Sequence, residues 1–204
     1  MLISSLVLGS IGIIIFISIL FSFNKLLNKN ESGFLHLLMT FMYICWLPIP
    51  LATFILLKSY SFMIVGTIFG VLSLLLLIIT MVLQASHLSY SAKQNNGNPE
   101  MWNINDKWMM DGLLGSQIEL LANVLKGIWI IFLTIAFWFS GQIIFGILGS
   151  IYSLITIVYL FMLINISLVN EIPFLKKVKL NFILINLETF SWYLVLLVWI
   201  IVTI

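Results

Sequence analysis

FMIVGTIFGVLSLLLLIITMVL, Phe62 to Leu83, contains no charged residue and no proline. A transmembrane helix needs about 20 consecutive, mostly apolar residues, and this run meets that length by itself. The rest of the chain agrees with it. Of the 204 residues 62% are hydrophobic and only 8% charged, against about 25% charged in an ordinary globular domain. A soluble fold could not solvate such a surface. The expected class is therefore all-α: a polytopic integral membrane protein built as one membrane domain over residues 1–204.

Outward from Phe62–Leu83, the same criterion marks six spans: Leu2–Phe23, Phe34–Leu57, Phe62–Leu83, Leu120–Phe139, Ile143–Val169 and Phe182–Ile204. The first does not read as a signal peptide, because no basic residue precedes it and Lys25 and Lys29 follow it. The last contains Glu188. A helix beginning after it, at Thr189, would be about 24 Å long, short of a hydrocarbon core about 30 Å thick. Glu188 is therefore expected inside the span.

Lysine placement sets the direction. Lys25, Lys29, Lys93, Lys107, Lys176, Lys177 and Lys179 follow spans one, three and five, and Lys126 lies early in span four. The other side holds only Lys58. This asymmetry predicts both termini outside and a cytoplasmic loop over residues 84–115, in a cell membrane. The two halves of three spans then run in opposite senses, as in the inverted repeats of many transporters, although the halves share no evident sequence similarity. Abundant Ile, Asn, Lys and Phe without any Arg suggests a low-GC bacterium. The single cysteine, Cys45, excludes an intramolecular disulfide and a CxxC site.

Several features invite a chemical reading. Pro48 and Pro50, in the outer half of span two, each remove an N–H and disfavour helix just before them. They predict a kinked or broken helix, which either lines a site or simply packs. Gly66 and Gly70 form a GxxxG pair, a helix-packing face within the chain or at a dimer seam; Ser5/Gly9 and Gly146/Ser150 share the spacing. Ser73, Thr80, Gln84, His87 and Ser91 fall on one helix face. His36, Thr40 and Tyr43 do the same on span two, so two interfacial histidines could form a metal or proton site, or more simply hydrogen-bond or meet water, as no HxxH or HExxH accompanies them. Ser116 to Glu119 fits a capping box. Glu119, Asn123 and Lys126 then share a face of span four. Lys126 and Glu188 should lie at similar depth, so they either form an ion pair, with Asn123 and Asn186 nearby, or snorkel separately to the headgroups. Lys176, Lys177 and Lys179 suit anionic lipid.

No HExxH or GxSxG motif is present, and no Arg exists for bidentate phosphate contacts. No catalytic residue, cofactor or metal is implied, and no basic patch suits a nucleic acid.

The most polar stretch, Lys93 to Gly112, carries Trp102-Asn103-Ile104-Asn105-Asp106-Lys107 and then Trp108. This resembles the loop of SdpI-like bacterial membrane proteins, which reads Trp-Thr-Leu, a polar residue, an acid pair and a second Trp before a helix. The resemblance covers Pro99 to Val124. The Arg-Thr usual before that loop is replaced by Asn98-Pro99. It implies self-protection against a secreted membrane-active peptide, with signalling to a cytoplasmic regulator in some members. From the residues themselves, the two Trp suit interfacial anchoring. The expected function is thus an accessory or immunity-type protein. It would bind a hydrophobic or peptide partner in the bilayer and a cytoplasmic partner through Trp102, Asp106, Trp108 and Asp111. The competing expectation is a small transporter or the membrane subunit of a larger one; a homo-oligomer is compatible with both.

Overall fold

The computed structural model describes residues 1–94, 99–170, 172 and 182–204. The described residues are almost entirely helical: α1 Leu2–Asn28, α2 Ser32–Trp46, α3 Ile49–Leu56, α4 Met63–Gln94, α5 Pro99–Lys107, a π-helical turn Trp108–Leu113, α6 Ser116–Phe139, α7 Ile143–Ser167 and α8 Phe182–Thr203. Counting α2 and α3 together, six helices are long and apolar enough to cross a membrane. The lysines 176, 177 and 179 lie outside the described residues.

The expected loop 84–115 needs correction. Helix α4 runs eleven residues past Leu83, to Gln94, and most of the remainder is α5 and the π-helical turn. Apolarity ends near Leu83, but helical phasing does not. Gln84 and Ser91 stay buried on the face that carries Ser73 and Thr80, and no Gly or Pro interrupts the chain before Gly97. The other span boundaries shift less. α1 continues to Asn28, α2 begins at Ser32, α6 at Ser116, and α7 stops at Ser167.

Two connections are tight Schellman turns, which place one residue in the left-handed region. After α1 that residue is Asn30, φ 56°. Glu31 N–H reaches Leu26 O at 2.9 Å and Asn30 N–H reaches Leu27 O at 3.0 Å. After α6 it is Gly141, φ 73°, with Gln142 N–H on Phe137 O at 2.9 Å.

Span two breaks at Leu47–Pro48, giving α2 and α3. The break is packed. Trp46 is fully buried, stacks on Tyr193 at 4.4 Å, and donates its indole N–H to Gly9 O at 3.3 Å. Ser5 Oγ donates to the Pro48 carbonyl at 3.5 Å. Gly9 and Gly12 let α1 approach this closely: a Cβ on Gly12 would lie 2.7 Å from Trp46 Cδ1.

Neighbouring helices follow the order α7, α6, α4, α2, α1, α8. Side chains of α8 close the bundle against α6 and α7, through Trp129–Tyr193, Phe137–Trp199 and Tyr152–Trp192. α4 meets α6 across Gly66 and Gly70. A Cβ on Gly66 would come within 2.6 Å of Phe132 Cβ, and one on Gly70 within 2.7 Å of Trp129 Cδ2. Lys29 and Lys93 border one groove, which puts the ends of α1 and α4 together at a lysine-rich end.

Candidate functional site

The lysine-rich half of the bundle holds two linked polar assemblies. The deeper one centres on Lys126, the third residue of the Glu119, Asn123, Lys126 face of α6. Lys126 is 1% exposed. A lysine ammonium buried so deeply needs acceptors on every side. Its Nζ donates to Glu188 Oε2 and to Thr189 Oγ1, the latter at 2.6 Å, both on α8. It also lies 5.6 Å from the centroid of the Tyr159 ring. Glu188 Oε2 accepts the Tyr159 hydroxyl at 2.8 Å, so α7 contributes as well. Thr189 Oγ1 lies 3.4 Å from Asn123 Oδ1, while Asn123 Nδ2 donates to the Glu119 carbonyl at 2.8 Å. Three helices therefore converge on one buried ion pair.

The second assembly lies nearer the lysine-rich end. Glu119 does not join Lys126. Its Oε1 accepts from Gln84 Nε2 at 2.8 Å, and the same amide donates to the Leu114 carbonyl at 2.7 Å. Glu119 thus reaches across to α4; α6 starts at Ser116 with Gly115 as its N-cap residue. Asn186 likewise leaves the Lys126 cluster and lines a cavity of about 390 Å³ together with Glu119, Gln84 and His36. The apolar walls come from α1, α2 and α4, among them Phe23, Met39 and Met81.

His87 takes a different partner. Its Nε2 lies 2.9 Å from Asp106 Oδ1, and Ser91 Oγ donates to Asp106 Oδ2 at 2.7 Å. α5 is thereby fastened to the extension of α4, with Trp102 edge-on to Tyr90 at 5.7 Å. The two histidines serve separate places, and among the described residues no group of three or more His, Cys, Asp or Glu gathers as a metal site.

Of the four residues expected to form a docking loop, Trp102 and Asp106 are thus engaged within the chain. Trp108 is exposed at 62%, beside exposed Ile104. The side chain of Asp111 lies outside the described residues. Pro48 and Pro50 sit at the packed break, and Gly66 and Gly70 at the α4–α6 contact.

Thr189 and Tyr159 are the members that sequence reasoning missed. A lone Thr or Tyr in an apolar span carries no signal of its own. The adjacency of Thr189 to Glu188 was the one available hint.

The opposite half is filled differently. Trp46, Trp129, Trp192, Tyr193 and Trp199 are all fully buried, from the middle of the bundle outward, and Trp199 donates its indole N–H to Gln142 near the far end. No family model, curated protein or solved structure matches the chain.

Proposed function

We propose that this chain is a non-catalytic, multi-pass membrane protein of accessory or immunity type, which binds a hydrophobic or peptide partner from its lysine-rich side. By the lysine asymmetry that side is cytoplasmic and both termini are outside. One observation carries the reading. The cavity, the ion pair and the polar side chains around them occupy the lysine-rich half, while stacked aromatics pack the middle and the opposite half. A carrier needs a site reachable in turn from both sides, and a middle packed with buried Trp46, Trp129, Trp192 and Tyr193 opposes that. A binding protein needs only one open side.

The polar contacts of α5 narrow the second surface. With Trp102 and Asp106 occupied, a cytoplasmic partner would meet Trp108 and Ile104, the same residues that suit headgroup contact.

Single cysteines on a Cys45→Ala background test both parts. Asn186→Cys should react with a membrane-impermeant thiol reagent only from the cytoplasmic face, and Lys58→Cys only from outside. Reaction of Asn186→Cys from outside, in any condition, would support the transporter reading instead. Reversed labelling of the two positions would overturn the orientation.

A further inference from the structure

Among the described residues, the cavity beside Glu119 is lined by acceptors and by no cation. Glu119 Oε1 takes one N–H from Gln84, and among the described residues no cation pairs with the Glu119 carboxylate. The Gln84 amide spends its N–H groups on Glu119 and the Leu114 carbonyl, and among the described residues its buried Oε1 has no partner, in a side chain 1% exposed. His36 Nδ1 lies 2.8 Å from the Ser32 carbonyl. A carbonyl only accepts, so Nδ1 carries the proton, and in the neutral form of the ring Nε2 is an acceptor. Asn186 completes the polar lining and can turn either end of its amide inward.

Around these groups the wall is hydrocarbon and thioether: Leu35, Met39, Met81, Leu88 and Met110. The cavity, about 390 Å³, lies in the range of small-molecule sites, which are typically about 300–1,000 Å³. A bare Ca²⁺ ion takes six to eight oxygens, and one carboxylate with two amides falls short. A neutral apolar ligand would leave the carboxylate facing it unpaired, at a desolvation cost. A ligand that donates, carries positive charge and has an apolar body satisfies both parts of the lining.

We propose that this cavity binds an amphipathic organic cation, a protonated amine on an apolar body, with its ammonium against Glu119 and His36 Nε2. Gln84 acts as a positioning residue that holds the carboxylate in place. Methionine walls suit ligands of varied shape. The proposal rests on the binding reading above and names the chemistry that one part of a partner, or a free amine, must present.

Isothermal titration of the purified full-length chain in detergent tests it, with phenethylammonium as probe and 2-phenylethanol as its uncharged counterpart. The ammonium should bind saturably and the alcohol should not. Glu119→Gln, which keeps a group able to meet Gln84, should weaken ammonium binding roughly tenfold or more. Leu88→Trp, which fills the cavity and keeps Glu119, should abolish it. A melting curve without probe establishes that each variant is folded. Equal binding of the alcohol, no saturable binding to the folded wild-type chain, or undiminished binding to a folded Glu119→Gln chain would overturn the proposal. The sidedness of Asn186→Cys labelling decides the binding reading independently, so failure of one is distinguishable from failure of the other.

Discussion

Lys126 and Glu188, 62 residues apart in sequence, meet inside the bundle, and the carboxylate oxygen that receives the ammonium also receives the Tyr159 hydroxyl. The pair joins α6 to α8, and Tyr159 ties α7 to both. Removing one partner of a buried pair strands the other charge, which costs about 3–5 kcal/mol in soluble proteins. Translocon scales put a lone charge at about 2.5–3.5 kcal/mol at the bilayer centre. Lys126→Met and Glu188→Gln should therefore each lose roughly 2–4 kcal/mol of stability. The double variant should be milder than their sum. Unfolding in a mixed-micelle SDS titration measures all three; strict additivity would mean the side chains do not interact.

Tyr159 offers a gentler probe. Tyr159→Phe removes one hydroxyl and keeps the ring over Lys126. Hydrogen bonds within membrane proteins average about 0.6 kcal/mol, with a maximum near 1.7. The loss should fall in that range in the wild-type background. It should be smaller in a Glu188→Gln background, because a carboxylate is the stronger acceptor. An equal loss in both backgrounds would assign the effect to packing.

How far the sequence disclosed this arrangement depends on contrast. Lys126 and Glu188 stand out because charges in apolar spans are rare, so their pairing was open to inference from depth alone. Glu119 stands out equally, yet it goes to Gln84. Position along one helix does not reveal which neighbour that helix faces. The end of α4 was obscured for the opposite reason. Its last turns exchange apolar for polar partners, His87 and Ser91 meeting Asp106, so the hydropathy signal stops while the helix continues. The spacing of Ser73, Thr80, Gln84, His87 and Ser91 held that information. The packed break at Pro48 depends on Gly9 and Gly12 of α1, which nothing within span two itself discloses.

The glycines of α4 make a sharper test of helix approach. Gly66→Leu or Gly70→Leu would drive a side chain into Phe132 or Trp129 of α6. Overpacking of this kind costs about 1–3 kcal/mol. Each variant should melt earlier, with its apparent size by light scattering unchanged. A change in oligomeric state without loss of stability would instead mark a seam between copies.

Pro48 and Pro50 can be separated from ligand binding in the same way. Trp46 and Ile49, on either side of the turn, are both fully buried. Pro48→Ala with Pro50→Ala restores two N–H groups and permits a continuous helix, but a straight span would displace Trp46 from Tyr193 and from the Gly9 carbonyl. The double variant should lose roughly 1–3 kcal/mol through this repacking. Phenethylammonium affinity should stay within threefold, since the cavity is lined from α2 only by Ser32, Leu35, His36 and Met39, seven or more residues before Trp46.

The clasp between α5 and α4 should govern local opening rather than global stability. Asp106 holds His87 and Ser91 at once, while Trp102 on Tyr90 is a further contact between α5 and α4. A nine-residue helix is marginal in water without such contacts. Asp106→Ala should therefore raise amide exchange in residues 99–113 by about tenfold or more, the consequence of losing the Ser91–carboxylate hydrogen bond, a charge-assisted bond of about 1.5–3 kcal/mol, together with the His87 contact. Exchange in α6 beyond Asn123 should not change, because Lys126 and its partners lie on other contacts. Equal acceleration throughout α4 and α6 would show that the clasp supports the whole bundle. Unchanged exchange in 99–113 would show that α5 is held by something other than Asp106.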